Sequence, residues 1–164
     1  ILLMVLKHSI NIIPNLRQNL HYLQKKRNFA SQFLTSLQSK RNVTYHGVFK
    51  GNADAVYREL CQYDLLLLPT RWKAEGLPGI LVEAKIAGVP AVVSDHNFNA
   101  QIVTHDHDGL VIQDISVEKL ASALTELDND RKRLLNMKTA SRGSAERYYI
   151  DVCASDVIRE LERG

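Results

Sequence analysis

The chain has few of the residues that would make a disulfide scaffold, a metal centre or a membrane span. Its two cysteines, Cys61 and Cys153, stand far apart in 164 residues without metal-ligand spacing. That pattern fits a reducing compartment, and the chain reads as cytosolic. The longest apolar runs, ILLMVL at 1–6 and LLLLP at 65–69, fall far short of the roughly 20 residues that span a bilayer. No charged region precedes ILLMVL, so no signal peptide is readable. The chain opens on Ile1 rather than Met, and it is read as a piece whose start lies upstream. Its six histidines include no helical H-x3-H pair. The cluster His105-Asp-His-Asp108 suits a polar turn before Gly109 better than a metal site, because adjacent residues do not readily converge on one ion. Internal repeats and low-complexity linkers are absent.

Acidic residues are also missing from the first fifty positions. Those hold eight bases (Lys7, Arg17, Lys25, Lys26, Arg27, Lys40, Arg41 and Lys50), leaving 13 basic and 18 acidic residues for the rest. The net charge of +3 is thus +8 followed by −5. Such a segment is either a surface for phosphates and anionic lipid or a solvated helix face. Its short clusters favour the solvated face. Neither KKR (25–27) nor RKR (131–133) is interleaved with aromatics, which argues against nucleic-acid binding.

What is present is an ordinary globular composition, 45% hydrophobic and 24% charged, in a chain sized for one domain. Residues 1–6 read as a buried strand. Residues 11–41 are helix-like, with Leu16, Leu20 and Leu23 at helical spacing and a break around 28–31. A short strand at 43–46 ends at Gly47, and 54–63 is a helix with Val56, Leu60 and Tyr63 on one face. Strands at 64–69 (DLLLLP), 90–94 (PAVVS) and 110–112 flank a helix at 78–87, which has proline in its first turn and Gly88 past its end. Helices at 117–127, 130–149 and 151–163 follow. Continuous apolar strands alternating with helices predict a Rossmann-like α/β domain, a doubly wound parallel sheet covered on both faces. In such folds ligands bind at the carboxyl ends of the strands.

The stretch EGLPGILVEAKIAGVP, residues 75–90, crosses that edge. A helix start there presents free N–H groups and a positive dipole end, suited to an anion. Gly76 and Gly79 permit close approach of the backbone to a ligand. At 3.6 residues per turn Ile80, Glu83, Ala84 and Ala87 share a face, with Lys85 pointing nearly opposite. A carboxylate on a buried stripe needs hydrogen bonds. Glu83 is therefore either satisfied by a nearby N–H or lysine at the sheet edge, or it accepts from a polyol such as a ribose diol.

With Glu75 and Glu83 seven residues apart, EGLPGILVE resembles the E-x7-E motif of glycosyltransferase family 4, retaining enzymes of GT-B fold. VTYHGVF (43–49) resembles that family's strand ending in a glycine turn, and YDLLLLPT (63–70) its "aDvfvlPS" strand. AGVPAVVSD (87–95) resembles "aGvPVvatd", and DGLVI (108–112) the "tGllv" turn. PTRWKAEGLPG (69–79) and SDHNFNAQIV (94–103) are similar to a subgroup that assembles capsular and exopolysaccharides. The likeness runs from about 43 to 127.

The resemblance implies that the whole chain, 1–164, is the C-terminal, donor-binding half of a two-domain enzyme, with its C-terminal helices at 117–163. Glu83 would bind the ribose hydroxyls of a nucleotide sugar, UDP- or GDP-linked. Glu75, the implied catalytic residue, would meet a hydroxyl of the sugar. The backbone at Gly76, Leu77 and Gly79 would hold diphosphate and sugar, and Gly47, Val48 and Phe49 would meet the base. Lys7 would stand in for the phosphate-binding lysine. No metal or other cofactor is required, the acceptor (a saccharide or lipid-linked saccharide) would come through the missing half, and peripheral contact with the inner membrane face is left open.

The likeness has gaps. The family's glycine-arginine pair has no counterpart, its G-x-G strand before Val43 is missing, and Gln101 stands where a glutamate is common. Arg71 and Trp72 on the crossing loop would touch donor or acceptor, or pack against the missing half. Two other classes stay open: a noncatalytic nucleotide-sugar-binding module, and a GT-B-fold epimerase or phosphorylase half. The extra carboxylates and histidine of the epimerase and the pyridoxal-binding lysine of the phosphorylase are not visible.

Overall fold

The computed structural model describes residues 4–6, 44, 49, 51–71 and 76–163. Strand β1 is Met4–Leu6, followed among the described residues by α1 (Ala53–Leu60), β2 (Leu65–Leu68), α2 (Gly79–Ile86), β3 (Ala91–Ser94), α3 (Asn99–Ile102) and β4 (Gly109–Ile112). Then come α4 (Val117–Asn129), α5 (Arg131–Gly143), a 3₁₀ turn at Glu146–Tyr148 and α6 (Ile150–Leu161). The expected helix at 11–41 and strand at 43–46 lie outside the described residues, apart from Thr44.

The strands form one sheet in the order β1-β2-β3-β4. β2, β3 and β4 are parallel, with Leu67 opposite Val92 and Val92 opposite Leu110. β1 pairs antiparallel with β2, Met4 opposite Leu67, so the parallel core carries one reversed edge strand. Such an edge is common on otherwise parallel sheets.

Period-two alternation explains why DLLLLP tolerates no polar residue. Leu66, Leu68, Ala91 and Val93 pack on one face with Leu60, Leu81, Ala84 and Ile102 of α1–α3. Leu65, Leu67, Val92 and Leu110 pack on the other with Leu120, Leu124 and Leu127 of α4 and Leu134 and Met137 of α5. Both faces are covered by helices, which is the doubly wound arrangement. Each fully buried leucine contributes about 1.5–3 kcal/mol relative to an exposed one.

Local chemistry sets the ends of the elements. Asn52 caps α1 by accepting from the Ala55 N–H at 3.0 Å, and Ser116 caps α4 by accepting from Lys119 N–H at 3.2 Å. Gly88 follows α2 at φ +71°, the left-handed position that glycine fills without strain. A Cβ on Gly109 would collide with the carbonyl of Ala91, so the β3–β4 pairing itself requires that glycine. The expected single helix at 130–149 is instead α5 and the 3₁₀ turn. It stops at Ser144, whose Oγ donates to Asp108 at 3.1 Å. The short α3, too brief for a helical period, was not expected at all.

Candidate functional site

The carboxyl ends of β2, β3 and β4 lie side by side, and their loops are stitched together. Ser94 Oγ donates to the carbonyl of Thr70 at 2.5 Å, the Asp95 N–H donates to Ile112 at 2.9 Å, and the Arg71 guanidinium donates to the carbonyl of Ile115. Arg71 thus has a structural task across the edge; Trp72 lies outside the described residues. Asn99, buried at the start of α3, donates from Nδ2 to Ser94 O at 3.1 Å, and Asn97 takes a left-handed φ of 48° to complete the turn. The result is a fixed rim around the start of α2.

Pro78 is the N-cap of α2, and no side chain caps the first turn, which carries no acidic residue. Among the described residues no side-chain acceptor occupies the positive end of the helix. Gly76, Leu77 and Gly79 are all exposed, Leu77 by 56%. A Cβ on Gly76 or Gly79 would meet nothing within 4 Å, and neither has a positive φ. These two glycines are required by neither packing nor backbone conformation, unlike Gly88 and Gly109.

Glu83 lies one turn further along α2 and is half-buried. Among the described residues nothing hydrogen-bonds its carboxylate. The buried residues of α2 are Leu81, Ala84 and Lys85, and Ile80 and Ala87 pack partly buried against the same core, so the expected stripe is corrected in that Glu83 is only half-buried and Lys85 lies inside. Lys85, expected to point away, is 2% exposed. Its Nζ donates to Asp108 Oδ2 at 2.5 Å and to Ser144 Oγ at 3.0 Å. Asp108 Oδ1 accepts the Thr104 N–H at 2.8 Å, so the carboxylate is bonded on both oxygens. Burial pulls the Lys85 ammonium below the ordinary lysine range, and the Asp108 hydrogen bond and charge act against that pull. This knot lies toward the amino ends of the strands, under α2, and holds the helix to β4 and α5.

The remaining polar cluster disperses. His105 Nδ1 accepts from the Val111 N–H at 3.1 Å, Asp106 pairs with Arg133 at 2.6 Å, and Asp108 belongs to the Lys85 knot. Among the described residues no group of histidine, cysteine, aspartate and glutamate is arranged to hold a metal ion. A surface hollow lined by Cys61, Gly88, Lys138 and Arg142 lies at the opposite end of the sheet from the α2 start.

Residues 24–144 match the model of the family described as glycosyl transferases group 1. The chain belongs to the group 1 glycosyl transferases. It is 33% identical over 103 residues to an exopolysaccharide phosphotransferase, SCO2592, of Streptomyces coelicolor, covering 62% of this chain and 11% of that protein. It is 34% identical over 84 residues to a GDP-mannose-dependent alpha-(1-6)-phosphatidylinositol monomannoside mannosyltransferase of Mycobacterium tuberculosis, covering 48% and 22%. The fold is shared with Anabaena Alr3699/HepE, solved in complex with UDP, at a TM-score of 0.71 and 17% identity over 84% of this chain and 36% of that one. The chain thus spans only a fraction of the length of each.

Within this group 1 glycosyl transferase domain, Gly76, Leu77, Gly79 and Glu83 come together at the start of α2. Phe49 is half-exposed, and its ring lies against Gly51, where a Cβ would strike it. Glu75, Lys7, Gly47 and Val48 lie outside the described residues. Gln101 is exposed on α3. Two features escaped the sequence reading. The Lys85–Asp108 pair had a faint signal in the charge that either buried face of α2 must take inside. The other is His96, whose buried Nε2 has no hydrogen-bond partner among the described residues.

Proposed function

We propose that this chain is the donor-binding half of a glycosyltransferase that moves a sugar from a nucleotide sugar to a saccharide or lipid-linked acceptor with retention of configuration. The observation that carries the reading is the uncapped start of α2 at the carboxyl edge, with open space beside Gly76 and Gly79 and the unpartnered Glu83 one turn on. Family membership supports it. In this reading the first-turn N–H groups and the helix dipole stabilise the departing nucleoside diphosphate as positive charge develops on the sugar ring, a preorganised electrostatic effect. Lys7 adds a cation and Glu75 meets the sugar. Gly47, Val48 and Phe49 meet the base, and Glu83 takes the ribose diol. The leaving phosphate deprotonates the acceptor hydroxyl, so this half needs no nucleophile of its own and no metal. The acceptor enters from a second half, placing the enzyme in the cytoplasm at or near the inner membrane face. Among the described residues no helix is long and apolar enough to cross a membrane. The polysaccharide-assembling subgroup fits the motifs at 69–79 and 94–103.

The test is thermal unfolding of this chain with millimolar UDP, GDP or ADP, repeated on Glu83→Ala. A nucleotide at about five times its dissociation constant adds roughly 1 kcal/mol, or about 2–4 °C. One nucleotide should raise the midpoint and lose that effect in the variant, while the isolated chain transfers no sugar. A noncatalytic nucleotide-sugar-binding module is the second reading, favoured by the missing glycine-arginine pair. It would show the same shift, and transfer would remain absent when the longer protein is assayed.

A further inference from the structure

β4 is the last strand of the sheet, and a hollow of about 580 Å³ lies along its outer side, next to the segment that leaves α3. That is within the roughly 300–1,000 Å³ of small-molecule sites. No residue of α2 or of the loop before it lines the hollow, so it is separate from the start of that helix. Val103 and Val111 give it an apolar floor, and Asp95, Thr104, His105 and Gln113 stand around them. The backbone that carries these four is fixed. The Asp95 N–H donates to Ile112 O at 2.9 Å, the Thr104 N–H donates to Asp108 Oδ1 at 2.8 Å, and the Gln113 carbonyl accepts from Lys119 Nζ at 2.8 Å. His105 Nδ1 accepts the Val111 N–H at 3.1 Å, which leaves the ring proton of the neutral imidazole on Nε2. Among the described residues the Asp95 carboxylate, the Thr104 hydroxyl, the Gln113 amide and His105 Nε2 bond to no other protein group.

We propose that this hollow binds a neutral saccharide. The set of groups selects the ligand: Asp95 only accepts, His105 Nε2–H only donates, and Thr104 and Gln113 do both. A sugar ring answers each of them, since every hydroxyl donates and accepts, and its C–H face covers Val103 and Val111. A phosphate would meet the Asp95 carboxylate with no lysine or arginine among the lining residues to offset it. A metal ion would find a single carboxylate, and among the described residues no group is arranged to hold one. The stretch SDHNFNAQIV (94–103) supplies both Asp95 and Val103, for which the start of α2 has no use. The hollow is thus a second sugar position at the carboxyl ends of β3 and β4, suited to a unit of the glycan being built rather than to the nucleotide sugar. That assignment to the glycan rests on the transferase reading above; the sugar site itself does not.

The test is a titration of the 164-residue chain with methyl α-glucoside, methyl α-galactoside and methyl α-mannoside, followed by proton–nitrogen correlation spectra, with and without millimolar UDP and GDP. At least one glycoside should move the resonances of Asp95, Thr104, Val111 and Gln113 and the Nε2 resonance of His105, equally with nucleotide and without. Asp95→Ala should weaken that binding about tenfold or more, and Gln113→Ala about fivefold. His107→Ala, exposed in the same turn but outside the lining, should bind as wild type does. Inorganic phosphate should leave all these resonances in place. The proposal is overturned if no glycoside moves them, if Asp95→Ala binds like wild type, or if phosphate moves them instead. It is also overturned if nucleotide abolishes the glycoside shifts, because the sugar would then occupy the nucleotide's own site. Where a variant does not fold, the wild-type His105 Nε2 resonance decides: it moves with a glycoside or the site is refuted. The shifts that nucleotide alone causes at the start of α2 test the donor-site reading separately.

Discussion

Replacing Lys85 by methionine keeps the length of the side chain and removes the cation from a pair whose side chains are 3% and 1% exposed. Asp108 is then a buried carboxylate with only Ser144 Oγ at 3.1 Å and the Thr104 N–H at 2.8 Å. Breaking a buried pair from one side costs about 3–5 kcal/mol. The two surviving hydrogen bonds put Lys85→Met at the lower end, about 3 kcal/mol, which for a domain of this size lowers the melting midpoint by about 6–12 °C. Adding Asp108→Asn removes the stranded charge, and the carboxamide can still accept from Thr104 and donate to Ser144. Burial pulls Lys85 down against the hydrogen bond and charge of Asp108, and a well-packed neutral replacement of a buried ion pair is often close to neutral in stability. The double variant should therefore return to within about 1 kcal/mol of wild type. Urea unfolding of the four proteins of the cycle measures the coupling directly. A double variant as unstable as Lys85→Met would show that the loss is one of packing. A harmless Lys85→Met would show that the pair is not buried in solution.

Two further outcomes follow from single residues. Tyr63 donates to Glu59 at 2.6 Å, and that bond first, then burial and the Glu59 charge, push the phenol up to about 12. Its folded value lies above the unfolded value of about 10, so the stabilisation is complete below about pH 10 and is lost as pH rises toward 12. Ultraviolet titration should show one late phenolate that Tyr63→Phe removes; a chain whose tyrosines all ionise together near 10 would refute the bond. Gly79→Ala should keep or raise stability by up to about 1 kcal/mol, since nothing crowds the position and alanine favours helix. It should nonetheless weaken the nucleotide-dependent rise in melting midpoint, and an undiminished rise would remove Gly79 from the site.

Much of the fold was legible because the parallel core is written in uninterrupted apolar runs. DLLLLP and PAVVS, short apolar runs bounded by turn residues, read as strands buried on both faces, and Gly88 closes the intervening helix where a left-handed residue is needed. Other features depended on partners distant in sequence. The helix read across 130–149 stops at Ser144, whose hydroxyl meets Lys85 and Asp108, 59 and 36 residues away. The reversed β1 edge has no signature in ILLMVL, since an apolar run is silent about strand direction. In α2 two faces were open to burial, one taking Glu83 inside and the other Lys85, and helical period alone could not separate them. Asp108 decided the matter by offering Lys85 a bonded carboxylate 23 residues away.

That correction changes what argues for the ligand. An inward Glu83 seemed to need a diol to excuse its burial, and a half-buried one needs no such excuse. The stronger argument comes from comparing the glycines. Gly88 holds a positive φ, and Gly109 lies where a side chain would strike the neighbouring strand. Gly76 and Gly79 have neither constraint, a freedom that Gly143 at the end of α5 shares, but of these only Gly76 and Gly79 flank the helix start at the carboxyl edge directly after β2. Gly79 even gives up helix propensity in the first turn of α2. A residue that costs stability and serves no internal contact is explained when its missing side chain leaves room for something outside the fold. In the proposed reading, that something at the positive end of the helix is an anion. The proposed donor site thus draws its support from what Gly76 and Gly79 do not do for the folded chain, and Glu83, which accepts from no described residue, adds to it.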